Sequence, residues 1–158
     1  MSEFRIRPAR PGDAEALANL GNELARLMES PKVYSAEMFV QYAFAPRPHF
    51  EVLVAESAGD LVGYALYEET FNTDLCKPGM WLHDIMVAEP ARNSSAGRAL
   101  MAAIAKATLE RGRSSLWWGV LSSNEAARRF YARIGANDED ARILELYGES
   151  LTALAAEP

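Results

Sequence analysis

The segment that most constrains the fold runs from Met80 to Val120. "MWLHDIMV" (Met80–Val87) reads as a strand and is ended by Glu89-Pro90. A helix is expected from about Ser95 to Arg111, with Leu100, Ile104 and Ala107 on one face and Gly112 stopping it. "SSLWWGV" then reads as a second strand. Strand, crossover helix and strand make a β-α-β unit, whose two strands lie parallel.

What precedes this unit runs the other way. "FRIRPA" (Phe4–Ala9) alternates like a strand, and Asp13 is placed to cap a helix striped by Leu17, Leu20, Leu24 and Leu27. A short second helix is expected over Ser35–Ala43, closed by Pro46 and Pro48. "HFEVLVAES" and "LVGYALYEET" are strands joined through Ala58-Gly59-Asp60, a hairpin signal, and Phe71–Gly79 is the most irregular interior stretch. After the crossover, Ser122 and Glu125 have capping-box spacing before the helix "NEAARRFYARIG", with Gly135 past its end. "RILELY" reads as a last strand and Leu151–Ala156 as a terminal helical turn. The expected fold is therefore a mixed α/β sheet, largely antiparallel, with helices on its faces, in one domain over 1–158.

Composition narrows the function. The net charge of −6 disfavours nucleic-acid binding, which needs cationic surface to replace counterions. No run approaches the ~18 apolar residues of a membrane span, and "MSEFRIRPAR" lacks the apolar core of a secretory signal. The single cysteine, Cys76, forms no internal disulfide and suits a reducing cytoplasm. Its two histidines and one cysteine show no metal-ligand spacing.

The turn between the Met80–Val87 strand and its helix, "RNSSAGR" (Arg92–Arg98), can hold an anion. Unpaired backbone N–H groups and the positive end of the helix dipole point into it, Arg92 and Arg98 add charge, and Gly97 frees the backbone. The alternative is a plain turn in which serine caps a structural helix. Neither a G-x-G-x-x-G nor a Walker pattern is present.

Together with the following helix, these residues resemble the GNAT superfamily of acetyl-CoA-dependent N-acetyltransferases. Its signature, Arg/Gln-x-x-Gly-x-Gly/Ala at a strand-to-helix turn, is met by Arg92-Asn93-Ser94-Ser95-Ala96-Gly97, with Ser95 where the family usually has glycine. The second element is met by Asn124, Ala127, Phe130-Tyr131 and Gly135-Ala136. The opening "FRIRPARPGDAEAL" and closing "RILELYGESL" look like the spermidine/spermine (diamine) branch. The resemblance implies a GNAT-like fold with acetyl-CoA between splayed parallel strands. Backbone groups of Ile85, Met86 and Val87 would pair with its pantetheine arm. N–H groups of Asn93 to Arg98, among them those of Ser94, Ser95, Ala96 and Gly97, would hold its pyrophosphate beside Arg92. Asn124 and Ala127 would line the arm's other side. It also implies a homodimer.

For the chemistry, Tyr131 matches the family's general acid and shares a helical face with Asn124 and Ala127. Where the diamine branch has a Glu-Asp pair, this chain has His83-Asp84. A neutral imidazole can accept a proton near neutrality, so His83 is the candidate base. Asp84 points to the opposite face by strand alternation unless a bulge intervenes. Asn72, His83 and Asp84 are the candidate substrate residues. Asn72 and Met28 replace acidic residues of the branch, which weakens a polyamine assignment. The expected activity is acetylation of a primary amine on a small molecule. The alternatives are a CoA-binding regulatory relative and an acetyltransferase of protein N-termini or lysines.

Overall fold

A sheet of five strands in sequential order β1-β2-β3-β4-β5 carries the computed structural model, which describes residues 4–158. The strands are β1 (Arg5–Pro8), β2 (Glu51–Ser57), β3 (Asp60–Asn72), β4 (Lys77–Val87) and β5 (Leu116–Trp118). The helices are α1 (Ala14–Leu27), α2 (Ala36–Tyr42), α3 (Ala96–Glu110), α4 (Glu125–Arg133) and α5 (Gly148–Ala155). Neighbouring strands pair antiparallel from β1 to β4, and β4 pairs parallel with β5 across the α3 crossover. The mixed α/β sheet expected from the sequence is therefore present. The chain falls into two compact units, 1–118 and 119–158, and the sheet belongs to the first.

Helices α1 and α2 cover one face of the sheet. Leu17, Leu20 and Phe39 pack there with Val52, Val54, Tyr64, Leu66 and Met86. The leucine stripe of α1 loses its burial toward the helix end, where Leu27 is exposed. Helix α3 lies on the other face with Leu100 and Ile104 fully buried. Leu100 packs over Gly63, where an added Cβ would stand 2.7 Å from the Met86 carbonyl. Glycine at 63 thus lets β3 and β4 meet under the helix. No helix among the described residues is long and apolar enough to cross a membrane.

Asp13 does not cap α1 with its side chain. Its carboxylate instead accepts from Arg10 N at 2.7 Å and from both terminal nitrogens of Arg7 at 2.8 and 3.0 Å. Arg7 also donates to Glu56 Oε2 at 2.7 Å, so one largely buried guanidinium ties β1, the entry to α1 and β2 together. Removing it leaves two partly buried carboxylates facing each other. Arg7→Ala is expected to cost about 3 kcal/mol in urea unfolding. The Arg7 hydrogen bonds hold the Asp13 carboxyl below its ordinary value. That contribution is complete above the unfolded-state value near 3.9 and is lost as pH falls through the folded one. The wild type should therefore lose more stability than the variant on acidification below about pH 4.

Several boundaries differ from the sequence reading. The first hairpin turns on two residues only, Ala58 and Gly59, both with positive φ (51° and 95°), and Asp60 already pairs with Ser57. Such left-handed pairs match the twist of flanking strands. The irregular Phe71–Gly79 stretch is mostly a continuation of the β3–β4 ladder: Phe71 pairs with Pro78 and Asn72 with Lys77. Asn72 Oδ1 accepts from Asp74 N (3.0 Å) and Leu75 N (3.2 Å), shaping the short turn that remains.

In the second unit, "RILELY" (142–147) carries no strand. Its Ile143 and Leu144 are exposed, and the unit holds no second strand to pair with. Alternating apolar residues favour a strand only when a neighbouring strand accepts the ladder. The residue that caps α4 is Asn124, whose Oδ1 accepts from Ala127 N at 3.1 Å, in place of the expected Ser122. Gly135 follows the helix with φ 88°, as its position after the apolar face implied.

Candidate active site

The register of β3 against β4 slips at one place. Ala65 pairs with Ile85 and Leu66 with Asp84, but Tyr67 pairs with Leu82, leaving His83 as an extra residue. A bulge of this kind interrupts alternation. Trp81 and His83 are alternate residues on one side, with rings 6.3 Å apart and nearly perpendicular. Strict alternation would send Asp84 to the opposite side. The bulge instead returns it to the face under α1 and α2, so that His83 and Asp84 line one pocket.

This pocket is an open depression of about 290 Å³. Met38, Phe50 and Leu66 supply apolar walls, and Asp84, with 11% of its side chain exposed, is the charge within it. Tyr34 donates its hydroxyl to Asp84 Oδ2, and Lys32 Nζ lies 3.5 Å from Oδ1. His83 Nε2 stands 3.2 Å from Glu68 Oε1. Burial, and then the adjacent Asp84, push the Tyr34 phenol above its ordinary value. It therefore remains a donor at any physiological pH.

The segment bearing Tyr34 is held in three ways. Asn22 on α1 accepts from Tyr34 N at 2.8 Å and donates to Tyr34 O at 2.9 Å. Gly21 clears space for the ring, since a Cβ there would lie 2.6 Å from Tyr34 Cγ. Phe39 stacks against the ring at 6.1 Å. Beneath it, Tyr64 is fully buried. Its pKa is pushed up by burial and then by Asp84 and Tyr34 nearby, which places it at the same polar cluster. Lys32, Tyr34 and Tyr64 escaped the sequence reading. Gly21-Asn22, interrupting an apolar helical stripe, was the signal of a close approach.

Next to the pocket, the sheet opens. β4 and β5 pair only at Met80–Leu82 with Leu116–Trp118, and from His83 onward β4 has a free edge. Ala88 N bonds Val62 O on β3 at 2.9 Å. By alternation Met86 presents its backbone groups to β3, whereas Ile85 and Val87 direct theirs to the open edge. There the Val87 carbonyl accepts from Arg92 Nε at 3.1 Å. Arg92 is further engaged with Glu23 Oε1 at 3.0 Å, which ties its charge to α1.

In the turn before α3, the left-handed residue is Asn93, with φ 62°. Asparagine is one of the few residues that adopt this conformation at small cost. Ser95 has φ −79° and ψ −2°, an ordinary right-handed geometry in which no glycine is required. Ser94 Oγ donates to the Ala91 carbonyl and accepts from Ala96 N at 3.2 Å, so it shapes the turn. The N–H groups of Gly97 and Arg98 find no acceptor among the described residues, and the Arg98 side chain is exposed. A backbone cradle open to an anion therefore remains. Asn72 has its Oδ1 spent on its own turn, and its Nδ2 donates to Ser115 Oγ at 3.3 Å.

In the second unit, α4 carries Asn124, Ala127 and Tyr131 along one helical face. Capping uses Asn124 Oδ1, which leaves its amide NH2 for other partners. Burial raises the Tyr131 phenol to about 12. Its ring tilts against that of Phe130 at 5.4 Å.

A parallel strand pair thus parts beside the pocket, and an anion-receptive turn leads from it into the crossover helix. Residues 19–136 match the acetyltransferase (GNAT) family, and the chain belongs to it. It is 30% identical over 110 residues to L-ornithine N5-acetyltransferase of Arabidopsis thaliana, covering 68% of this chain and 48% of that protein. The chain thus spans about half the length of that curated relative. An integron cassette protein from the mobile metagenome of V. cholerae superposes with a TM-score of 0.81 at 23% identity, over 99% of this chain and 100% of the other. An aminoglycoside acetyltransferase from a soil metagenome superposes at 0.75 with 17% identity, over 92% and 96%. These two likenesses show the fold.

Proposed function

We propose that this chain, with residues 1–158 serving one activity, transfers the acetyl group of acetyl-CoA directly to a primary amine of a small molecule. The observation that carries the reading is the β4 bulge, which brings His83 and Asp84 into one pocket at the mouth of the open β4 edge. The likeness to an ornithine N5-acetyltransferase supports a small amine. The diamine branch suggested by the chain ends lies within this reading.

Acetyl-CoA fits the residues present. The free backbone edge at Ile85 and Val87 would receive the pantetheine amides, and the unpartnered N–H groups of the turn would receive the pyrophosphate. When bound, it supplies an acyl thioester. Asp84 would hold the substrate ammonium by charge, with Tyr34 keeping the carboxylate in place. His83, with Glu68 beside Nε2, would keep its proton there and accept the amine's proton at Nδ1. Tyr131 would hold a proton at Oη for the departing sulfur.

Thiol release from acetyl-CoA over spermidine, putrescine, L-lysine, L-ornithine and a short peptide tests this. At least one small amine should raise the rate at least tenfold over the amine-free rate, and the peptide should not. Saturable acetyl-CoA binding with no release for any amine would leave a regulatory CoA-binding protein, and release with the peptide alone a protein acetyltransferase.

A further inference from the structure

We infer that Lys32 makes the Asp84 pocket selective for amines that also carry a carboxylate, the class of α-amino acids with an amine-bearing side chain. This rests on the acetyltransferase reading and names the substrate class of the same pocket. Lys32 stands on the segment between α1 and α2 and ion-pairs with Asp84 Oδ1 at 3.5 Å. Asp84 is 11% exposed and Lys32 50%, so the anion is fixed within the pocket while the cation hangs at its opening. Tyr34 occupies the other Asp84 oxygen, and Glu68 is matched to His83. Lys32 is therefore the one cation positioned at the Asp84 end of the cavity among its lining residues.

An ammonium entering toward Asp84 must come within reach of the Lys32 ammonium. Two like charges brought that close repel each other. A diamine brings only positive charge and must push Lys32 aside. An amino acid brings both signs. Its amine can take the place of Lys32 at Asp84, and its carboxylate can pair with the displaced Lys32, whose flexible four-carbon stem lets it follow. Charge is then balanced at both ends of the ligand.

The test compares amines that differ only by the carboxylate: L-ornithine with putrescine, and L-lysine with cadaverine. In the wild type, kcat/KM for each amino acid should exceed that of its decarboxylated partner by at least tenfold. Lys32→Ala should lower the amino-acid values at least tenfold while leaving the diamines equal or improved, and Lys32→Glu should reverse the preference. A wild type that prefers the diamines, or a Lys32→Ala that lowers both members of each pair equally, overturns the assignment. Diamine turnover that persists in that case leaves acetyl transfer standing. Should no amine be acetylated, the acetyltransferase reading fails by itself, and titration of the same four amines into CoA-saturated protein decides selectivity. Tighter amino-acid binding that Lys32→Ala abolishes supports it, and equal affinity within each pair overturns it.

Discussion

Replacing Tyr131 by phenylalanine should lower acetyl transfer about 100-fold and leave acetyl-CoA affinity within about twofold. Removing one positioned hydrogen-bond donor to developing negative charge costs about 10²- to 10³-fold, and the phenylalanine ring keeps the packing against Phe130 while deleting only the hydroxyl. Burial holds this phenol near 12. A thiol of ordinary acidity lies near 8.5, so the proton favours the phenol oxygen by roughly three units. In the proposed reaction Tyr131 would therefore act chiefly by donating a charge-assisted hydrogen bond as negative charge grows on the sulfur, with solvent completing the protonation. The sign of the pH effect follows. The acid form is lost only as pH rises through about 12, so Tyr131 imposes no alkaline fall in kcat between pH 7 and 10. Steady-state rates for both proteins across that range measure it. A variant with wild-type turnover would remove Tyr131 from the reaction.

What could be read in the sequence depended on how local its cause is. The crossover was legible because strand, helix and Gly112 stop each announce themselves within a few residues. The same holds for the Ala58-Gly59 turn and the Gly135 helix end. The site was legible as residue types and not as an arrangement. The bulge at His83 arises from the register between two strands, and nothing within "LHDIM" marks which residue will be extra. Yet it alone decides whether Asp84 shares a face with His83. The Tyr34–Asp84 hydrogen bond joins residues fifty positions apart, and its support comes from Gly21 and Asn22 on a helix whose pattern reads simply as core. The turn before α3 misled in a different way. Family likeness drew attention to a serine in place of a glycine, whereas the backbone puts its left-handed residue two positions earlier, at Asn93. "RILELY" shows the converse, a strand pattern without a strand, because the partner a ladder needs is not written in the segment itself.

Asp84→Asn is expected to lower kcat/KM for the amine roughly 100- to 1,000-fold. Truncating one partner of a desolvated, hydrogen-bonded charge pair costs about 2–5 kcal/mol, and each 1.4 kcal/mol is a factor of ten. Asp84 meets the condition of desolvation, with 11% of its side chain exposed. The amide is nearly isosteric and still offers Oδ1 to the Tyr34 hydroxyl, so the pocket wall stays in place and the change is one of charge. Thermal stability should therefore shift by no more than about 4 °C, the equivalent of about 1 kcal/mol in a domain of this size. Asp84→Ala separates the two roles of the carboxylate. It removes the charge and also leaves a partly buried tyrosine hydroxyl without its acceptor, at a further cost of about 1–3 kcal/mol in stability. If asparagine alone abolishes turnover, charge recognition of the amine is what Asp84 supplies. If asparagine retains wild-type kcat/KM and only alanine is impaired, the carboxylate serves to hold Tyr34, and the amine is bound elsewhere.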